Sequence, residues 1–200
     1  MTNDESEREG WRERKRRETL KRVAETALKL FGEKGYEATT LDAIAEASGI
    51  AKRTFFHYFK SKEEVLAAWQ AGLPTAFRAA ILAEPTDQSP LEAVRNVLTR
   101  MPAHFNADQA LLIDRIIRSS EQLRAGNLAK YLRLEQAAFE ALCELWPQPE
   151  RRNALRAVAM ASVGALRLAI DAFAEEGGRR PVADHVREAF GNLGAELPRD

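Results

Sequence analysis

The run AKRTFFHYF, which begins about a quarter of the way along the chain, holds the most distinctive combination of side chains. Phe55 and Phe59 are four residues apart, so in a helix they lie on one side and can anchor it to a hydrophobic core. Lys52, Arg53 and Thr54 are then available on the other side, at the helix start. Arginine pairs with the O6 and N7 atoms of guanine, and threonine contacts a thymine methyl group or a base acceptor. The pattern is typical of a helix that enters the major groove of DNA.

Groups that bind phosphate surround this run. Lys60, Lys62 and the hydroxyls of Thr40 and Tyr58 are of the kind that contacts the DNA backbone and sets the register of a protein on it. Backbone amides at a helix start add to this attraction because they carry partial positive charge. The alternative for the aromatic side chains of the run is that they pack against the C-terminal part of the chain.

Two short helices with a turn between them are predicted to position these residues. Thr40 can cap a helix over Leu41–Ala47. Ser48 and Gly49 then predict a tight turn, because glycine tolerates a positive φ angle. A second helix follows over 51–58. Two helices of this length joined by a glycine-containing turn form the helix-turn-helix pattern.

The charge of the chain is unevenly distributed. The 200 residues contain 30 basic and 30 acidic side chains, so the formal net charge is zero. Residues 11–62 alone carry thirteen basic and seven acidic side chains, a net charge of +6, and the remainder therefore sums to −6. This asymmetry indicates a nucleic-acid or other anionic partner for the basic segment. The alternative is an ordinary solvated helix face.

The sequence pattern predicts helices along the whole chain, separated by proline and glycine residues. No segment shows the alternation of apolar and polar residues that is typical of a strand. About nine helices and no sheet predict an all-α protein. Ser61 to Glu64 and Ser89 to Glu92 form capping boxes at the starts of the fourth and fifth helices. Pro74 is expected to cause a kink or a break in the fourth helix. The predicted helices cover about 12–33, 41–47, 51–58, 62–82, 91–101, 106–119, 122–146, 149–176 and 182–194.

Catalytic patterns are missing from the sequence. The three histidines, His57, His104 and His185, form no zinc or di-iron motif. There is no phosphate-cradling glycine loop and no nucleophile elbow. The single cysteine, Cys143, lies in an apolar helical run and excludes a disulfide framework within the chain. We therefore expect neither enzymatic activity nor a cofactor, and no metal site.

The N-terminus MTNDESEREG is acidic and polar, unlike a secretory signal, and no apolar run approaches the roughly 20 residues that span a bilayer. These features favour a cytoplasmic protein without a membrane partner.

Residues 31–66 resemble the N-terminal DNA-binding region of the TetR family of bacterial transcriptional regulators. The segment FGEKGYEATTLDAIAEASGIAKRTFFHYFKSKEEVL has, in order, the family's F-x-E-x-G-Y, T-T, I-A, T-F-F-x-Y-F and S-K-E elements. Two positions depart from the family pattern: Ala51 stands where serine is frequent, so a helix cap is missing, and Arg53 stands where glycine is common. By motif position, the resemblance implies that the DNA-facing residues are Thr40, Lys52, Arg53, Thr54, Phe56, His57, Tyr58 and Lys62.

The resemblance also implies a division into two domains. A helix-turn-helix DNA-binding domain is expected over 1–61, with 1–11 as a disordered arm, and a ligand-binding and dimerisation domain over 62–200. The implied function is that of a homodimeric repressor released from a palindromic DNA operator by a small, largely apolar effector. Three alternatives remain. The chain could be a ligand-independent activator or architectural DNA-binding protein, a helical-bundle enzyme, or a small-molecule binding module whose DNA-binding region is vestigial.

Apolar side chains with interleaved polar groups between about residues 65 and 145 predict the effector pocket, although each could equally be an ordinary core or surface position. The predicted ligand residues are Trp69, Phe77, Met101, His104, Phe105, Arg115, Arg118, Tyr131, Glu135 and Phe139. The stretch RIIRSSEQLRAGNLAKYLRLEQAAFEAL, together with KRTFFHYF, is similar to a TetR subgroup that includes the mycofactocin-system regulator. That similarity implies a fatty acyl-coenzyme A inducer.

The last two predicted helices carry the expected dimer interface. The helix over 149–176 is apolar on two sides, one of them a strip of small residues, so it is either central in a core or shared with a partner. A buried helix of a monomer is the alternative. DNA reading favours a dimer, because two half-sites about 34 Å apart need two recognition helices. The predicted interface residues are Ala161, Gly164, Ala165, Leu168, Ala172, Val186 and Phe190.

Overall fold

A computed structural model describes residues 3–101 and 107–196 of the chain. Over these ranges the structure has ten α-helices, one 3-10 helix and no strand, so the predicted all-α class is confirmed. The helices are α1 (Asn3–Lys34), α2 (Leu41–Ala47), α3 (Lys52–Tyr58), α4 (Lys62–Gln70), α5 (Leu73–Leu82), α6 (Pro90–Arg100), α7 (Ala107–Arg118), α8 (Glu121–Leu145), the 3-10 helix Pro149–Arg151, α9 (Arg152–Glu175) and α10 (Val182–Glu196).

The chain divides into two compact units, Met1–Gly72 and Leu73–Asp200. The predicted boundary after residue 61 differs from this division because α4 packs against α1 within the first unit. Val65 and Leu66 of α4 are buried there. The fourth helix therefore completes the core of the first unit.

The first helix begins earlier than the sequence predicts. α1 starts at Asn3 rather than near Arg12, so the expected disordered arm over 1–11 is helical from Asn3. Residues 1 and 2 lie outside the described part of the chain.

The break after the fourth helix is confirmed, but it falls before the proline. α4 ends at Gln70 and α5 begins at Leu73, so Ala71 and Gly72 separate them. Pro74 is the second residue of α5. A proline in a first helical turn costs little, since the amide hydrogen it lacks has no partner there.

The core of the second unit is built around α9, which packs against α6, α8 and α10. Leu155, Ala159, Val163 and Ala169 of α9 are at most 1% exposed, and the core extends to Phe77 of α5. The α6 start is fixed by the predicted capping box, in which Ser89 and Glu92 bond reciprocally. Helical periodicity thus places one apolar side of each helix inward.

Two stretches, Lys62–Leu82 and Pro149–Glu175, are long and apolar enough to cross a membrane by length and composition alone. The first contains the break between α4 and α5. The second contains α9, whose length and composition a core helix of a soluble protein shares. The expected absence of a membrane partner stays a prediction.

Candidate nucleic-acid interface and effector body

The turn between α2 and α3 is held by local hydrogen bonds. The amide of Ala43 donates to Thr40 Oγ1 at 3.1 Å, which caps the start of α2 as predicted. Ser48 Oγ donates to the carbonyl of Ile44 at 2.6 Å at the end of the helix. Gly49 has a φ of +65°, the left-handed conformation that the predicted turn requires.

Aromatic packing fixes α3 in the first unit. Phe55 is completely buried and Phe59 is 2% exposed, and their ring centroids lie 5.3 Å apart. These are the two anchors that the sequence predicts. Ala51 precedes the helix without a side-chain cap, also as predicted. The helix is therefore positioned by its buried side rather than by its start.

The opposite side of α3 is exposed. Lys52, Arg53, Thr54 and His57 are exposed, whereas Phe56 is half-buried. Tyr58 is also half-buried, with its ring centroid 5.2 Å from that of His57. All eight predicted DNA-facing residues, including the exposed Thr40, thus keep some solvent-accessible surface, and none of them is a core residue.

The cations at the start of α3 differ in their pairing. Lys52 Nζ lies 2.6 Å from a carboxylate oxygen of Asp42 on α2, and this contact raises the pKa of Lys52. Arg53 makes no hydrogen bond or ion pair with the residues that the structure describes. The guanidinium of Arg53 is therefore available to an external acceptor. The ammonium of Lys52 must leave the carboxylate of Asp42 before it can bind another anion.

Lys62 does not fit the predicted phosphate contact. Its side chain is only 19% exposed, and Nζ donates to the carbonyl of Tyr36 at 2.7 Å. The same ammonium lies 4.3 Å from the centroid of the Tyr36 ring and 3.8 Å from a carboxylate oxygen of Glu37. The structure gives Lys62 a structural role, joining the start of α4 to the α1–α2 loop.

A second contact ties the same loop to α4. The hydroxyl of Tyr36 donates to Glu63 Oε1 at 3.0 Å. Burial, followed by the neighbouring carboxylate of Glu63, raises the pKa of Tyr36 above its usual range. Burial alone would raise the pKa of Glu63, but bonds from its own amide, Ser61 and Tyr36 outweigh it and lower that pKa. The sequence motif did not indicate the hydrogen bond between Tyr36 and Glu63.

Five of the predicted ligand residues belong to the helical body of the second unit. Phe77, Tyr131 and Phe139 belong to the buried core of the second unit, and Met101 packs against that core. Glu135 is half-buried on α8. These five residues share one helical body, but they serve mainly as its packing.

The other predicted ligand residues are scattered. Arg115 and Arg118 are exposed on α7, and Arg118 bonds Asp114 and Asp171. Trp69 is half-buried in the first unit. The predicted contacts by His104 and Phe105 lie outside the described residues.

Lys130 is a buried cation that the sequence reasoning missed. It is 9% exposed, and its Nζ lies 4.0 Å from the centroid of the Tyr131 ring. Burial, with the nearby charges of Arg133 and Arg167, lowers the pKa of Lys130 to about 8. No carboxylate among the described residues forms an ion pair with it. The only sequence signal was a lysine at a core-facing position of a helical repeat.

Burial in the structure also removes some residues from the predicted dimer interface. Val186 and Phe190 are core residues, 0% and 7% exposed, and Ala165 is 5% exposed. Leu168, by contrast, is 66% exposed. Ala161, Gly164 and Ala172 are half-buried. Helical phase explains the correction, because α10 uses the Val186 side to cover α9 and α6.

Unpredicted apolar side chains enlarge the exposed surface on this side of the second unit. Met160 on α9 is 53% exposed, and Leu128 and Leu132 on α8 are 49% and 64% exposed. Arg167 of α9 lies over the Tyr131 ring of α8, so this part of α8 runs beside α9. Large apolar side chains left in water at such spacing are typical of an interface.

Acidic, histidine and cysteine side chains do not form a metal-binding group anywhere in the part of the chain that the structure describes. The site that the fold does define is an exposed, anchored second helix of a helix-turn-helix, carried by a unit separate from a larger helical body. This is the architecture of a helix-turn-helix DNA-binding protein.

Comparison with known proteins finds similarity to one family of regulators. Residues 23–69 match the N-terminal domain described as "Bacterial regulatory proteins, tetR family". The HTH-type transcriptional regulator TcmR of Streptomyces glaucescens is 39% identical over 129 residues, which cover 62% of this chain and 57% of TcmR. The match thus spans little more than half of that relative. Residues 23–69 are therefore similar to the N-terminal domain of the TetR family of bacterial regulatory proteins.

Solved structures share the fold over most of the chain. The TetR-family transcriptional repressor FadR of Thermus thermophilus, solved with lauroyl-CoA, has a TM-score of 0.62 and 22% identity over 90% of this chain and 96% of its own. The fatty acid degradation regulator FadR of Bacillus halodurans has a TM-score of 0.60 and 17% identity over 88% and 98%. All of these relatives are regulators, in agreement with the prediction that the chain is not an enzyme. The resemblance to the mycofactocin-regulator subgroup stays a prediction.

Proposed function

We propose that the chain is a ligand-responsive transcriptional repressor that binds a palindromic DNA operator through α3. The observation that carries this proposal is the exposed, unpaired guanidinium of Arg53 beside the exposed Thr54, on a helix anchored by the buried Phe55. A rigid helix that presents base-reading side chains at its start is suited to the major groove. The similarity of residues 23–69 to the N-terminal domain of the TetR family supports the same function.

Each exposed group has a distinct role in the proposed contact. Arg53 and Thr54 approach base edges, where one bidentate arginine–guanine pair discriminates by about 1–3 kcal/mol. Thr40 Oγ1 accepts the amide of Ala43, which leaves its hydroxyl proton free for a phosphate oxygen. Lys52 and His57 contribute positive charge or hydrogen bonds beside them. Lys62 instead holds the α1–α2 loop in place.

The active form in this proposal is a homodimer formed through α9. Leu168 and Met160 are more than half exposed on α9, with the half-buried Ala161 and Gly164 between them. Small residues let two backbones approach closely, and burying large exposed apolar groups supplies the driving force. A symmetric pair brings two recognition helices to two half-sites.

The proposed effector is a small, largely apolar molecule bound in the second unit, with a fatty acyl-CoA as the favoured class. Support comes from the fold shared with FadR of Thermus thermophilus, which was solved with lauroyl-CoA. A ligand that binds more tightly to a dimer arrangement unsuited to the operator lowers DNA affinity by its differential affinity, typically 1–3 kcal/mol.

A binding experiment on the purified protein tests the proposal. Fluorescence anisotropy with labelled DNA from upstream of its own gene should show specific binding against competitor DNA. The affinity should fall steeply between 50 and 200 mM salt, because each phosphate contact releases counterions. Lauroyl-CoA should release the DNA, and free coenzyme A should not. No preference for the upstream DNA would overturn the repressor assignment, and release by coenzyme A alone would overturn the apolar effector.

A further inference from the structure

A basic groove lies between α6 and α10 in the second unit. Its volume is about 460 Å³, within the usual range of small-molecule sites. None of the residues predicted from the sequence to bind ligand lines it. The lining residues are Arg95, Asn96, Thr99, Arg100, Arg187, Phe190 and Gly191.

Three guanidinium groups face the groove, and they differ in how they are held. Arg100 pairs with Glu84, whose side chain is only 7% exposed, and Arg187 pairs with Asp184. An arginine has five N–H donors, so each pair fixes the guanidinium and leaves other donors free. Two cations are thus oriented before any ligand arrives.

Arg95 is the unsatisfied member of the set. Its guanidinium makes no hydrogen bond or ion pair with the described residues, and only its backbone carbonyl accepts, from the hydroxyl of Thr99. Arg95 contributes to lowering the pKa of Glu92, but the hydrogen bonds from the amide and hydroxyl of Ser89 contribute more. An exposed guanidinium beside two that are already fixed attracts a multiply charged anion.

The shape of the groove also fits a ligand. Gly191 has no atom within 4 Å of the position that a Cβ would occupy, so its side of the groove is open space. The ring of Phe190 lies at the groove and is 7% exposed. Arginine stems add apolar wall beneath their charged ends. The groove therefore has charged donors and apolar surface together.

We propose that this groove binds a phosphate-bearing small molecule. Guanidinium forks match the oxygen geometry of phosphate and give charge-assisted hydrogen bonds. The groove shares no residue with the proposed operator contact or with the residues predicted to bind the effector, so phosphate binding there is tested separately from operator release.

Isothermal titration calorimetry of the full chain tests this, with inorganic pyrophosphate as the probe in 150 mM KCl. Wild type should bind one pyrophosphate per chain. Arg95→Gln should weaken binding about tenfold, because it removes a charged donor without breaking an ion pair of the fold. Gly191→Leu should abolish binding by filling the groove. The matched controls Arg133→Gln and Gly194→Leu, outside the groove, should bind as wild type does.

The outcomes separate the proposal from general anion attraction. Thermal unfolding by circular dichroism should show that all four variants fold. The proposal would be overturned if wild type showed no saturable binding. It would also be overturned if Arg95→Gln and Gly191→Leu both bound pyrophosphate with the affinity of wild type. Citrate provides a polycarboxylate comparison, and binding of citrate without pyrophosphate would overturn the phosphate assignment.

Discussion

The two units of the chain hold positive charge in opposite surroundings. In the first unit, Lys52 and Arg53 are exposed at the start of α3, and the cost of holding them there is small. In the second unit, Lys130 is 9% exposed, next to the Tyr131 ring and repelled by two arginines. No carboxylate of the described residues pairs with it.

This difference shows what each unit tolerates. Exposed cations on an anchored helix keep their hydration until a polyanion replaces it, so they serve binding without weakening the fold. A buried ammonium without an ion-pair partner has lost its hydration in the folded state, and this loss lowers the stability of the fold at neutral pH. The first unit therefore combines function with a hydrophobic anchor, whereas the second carries an internal charge at a cost in stability.

The largest expected effect tests the anchor in the first unit. Phe55→Ala should lower the free energy of unfolding by about 3–5 kcal/mol, because it removes a completely buried ring beneath α3. Chemical denaturation followed by circular dichroism measures it. Phe56→Ala, at a half-buried neighbour, is the matched control and should cost much less. Equal losses in both variants would mean that Phe55 is not the anchor.

The next effect tests the buried charge. Lys130→Met should raise the free energy of unfolding at pH 7 by roughly 2–3 kcal/mol, because it removes a desolvated ammonium and keeps the volume. The pKa of Lys130 is about 8 when folded and near 10.5 when unfolded. Between these values the unfolded chain binds more protons, so wild-type stability should rise with pH.

The difference in free energy of unfolding between Lys130→Met and wild type therefore depends on pH in a defined way. The advantage of the variant should be constant below pH 8 and shrink from pH 8 to 10. Above pH 10 tyrosine ionisation intervenes, since burial also raises the pKa of Tyr131, to about 12. Lys34→Met, at an exposed lysine of the first unit, is the control. A variant less stable than wild type at pH 7 would contradict the account of Lys130.

A third variant tests the proposed dimer through α9. Gly164→Glu should weaken the dimer at least tenfold, because it places a charge among the exposed apolar groups. The protomer should still fold, since no atom lies within 4 Å of the Cβ position at Gly164. Light scattering measures the mass, with Gly126→Glu on α8 as the control. A dimer as stable as wild type would place the interface elsewhere.

The smallest expected effect concerns the Lys52–Asp42 pair. Both side chains are more than 60% exposed, so the pair contributes little to stability. Asp42→Asn should free Lys52 and strengthen operator binding about two- to fivefold, with a slightly steeper salt dependence. Glu33→Gln on α1 changes the charge equally and should have less effect. Weaker binding by Asp42→Asn would show that Asp42 positions Lys52 for DNA.

Local sequence patterns predicted the position of α3 and its buried anchors well. Thr40, Gly49 and the Phe55–Phe59 spacing each act within one helix turn, so the sequence is sufficient to place them. The same locality explains the success at the capping box of α6. Pro74 predicted a break but not its position, because Ala71 and Gly72 end α4 three residues earlier.

Contacts between distant segments were not predictable in the same way. Lys62 looked like a phosphate ligand until the fold placed it against Tyr36, 26 residues away. Val186 and Phe190 fit an interface by composition, yet the phase of α10 buries them in the protomer. Which side of an apolar helix faces a partner depends on the packing of the whole unit.

The central claim is that Arg53 and Thr54 read bases, and alanine substitution tests it most directly. Fluorescence anisotropy should show that Arg53→Ala or Thr54→Ala weakens a specific site by about 1–3 kcal/mol, with a smaller loss on unrelated DNA. Arg133→Ala, an exposed arginine of the second unit, should bind as wild type does. The account is contradicted if neither α3 variant weakens the specific site by about 1 kcal/mol.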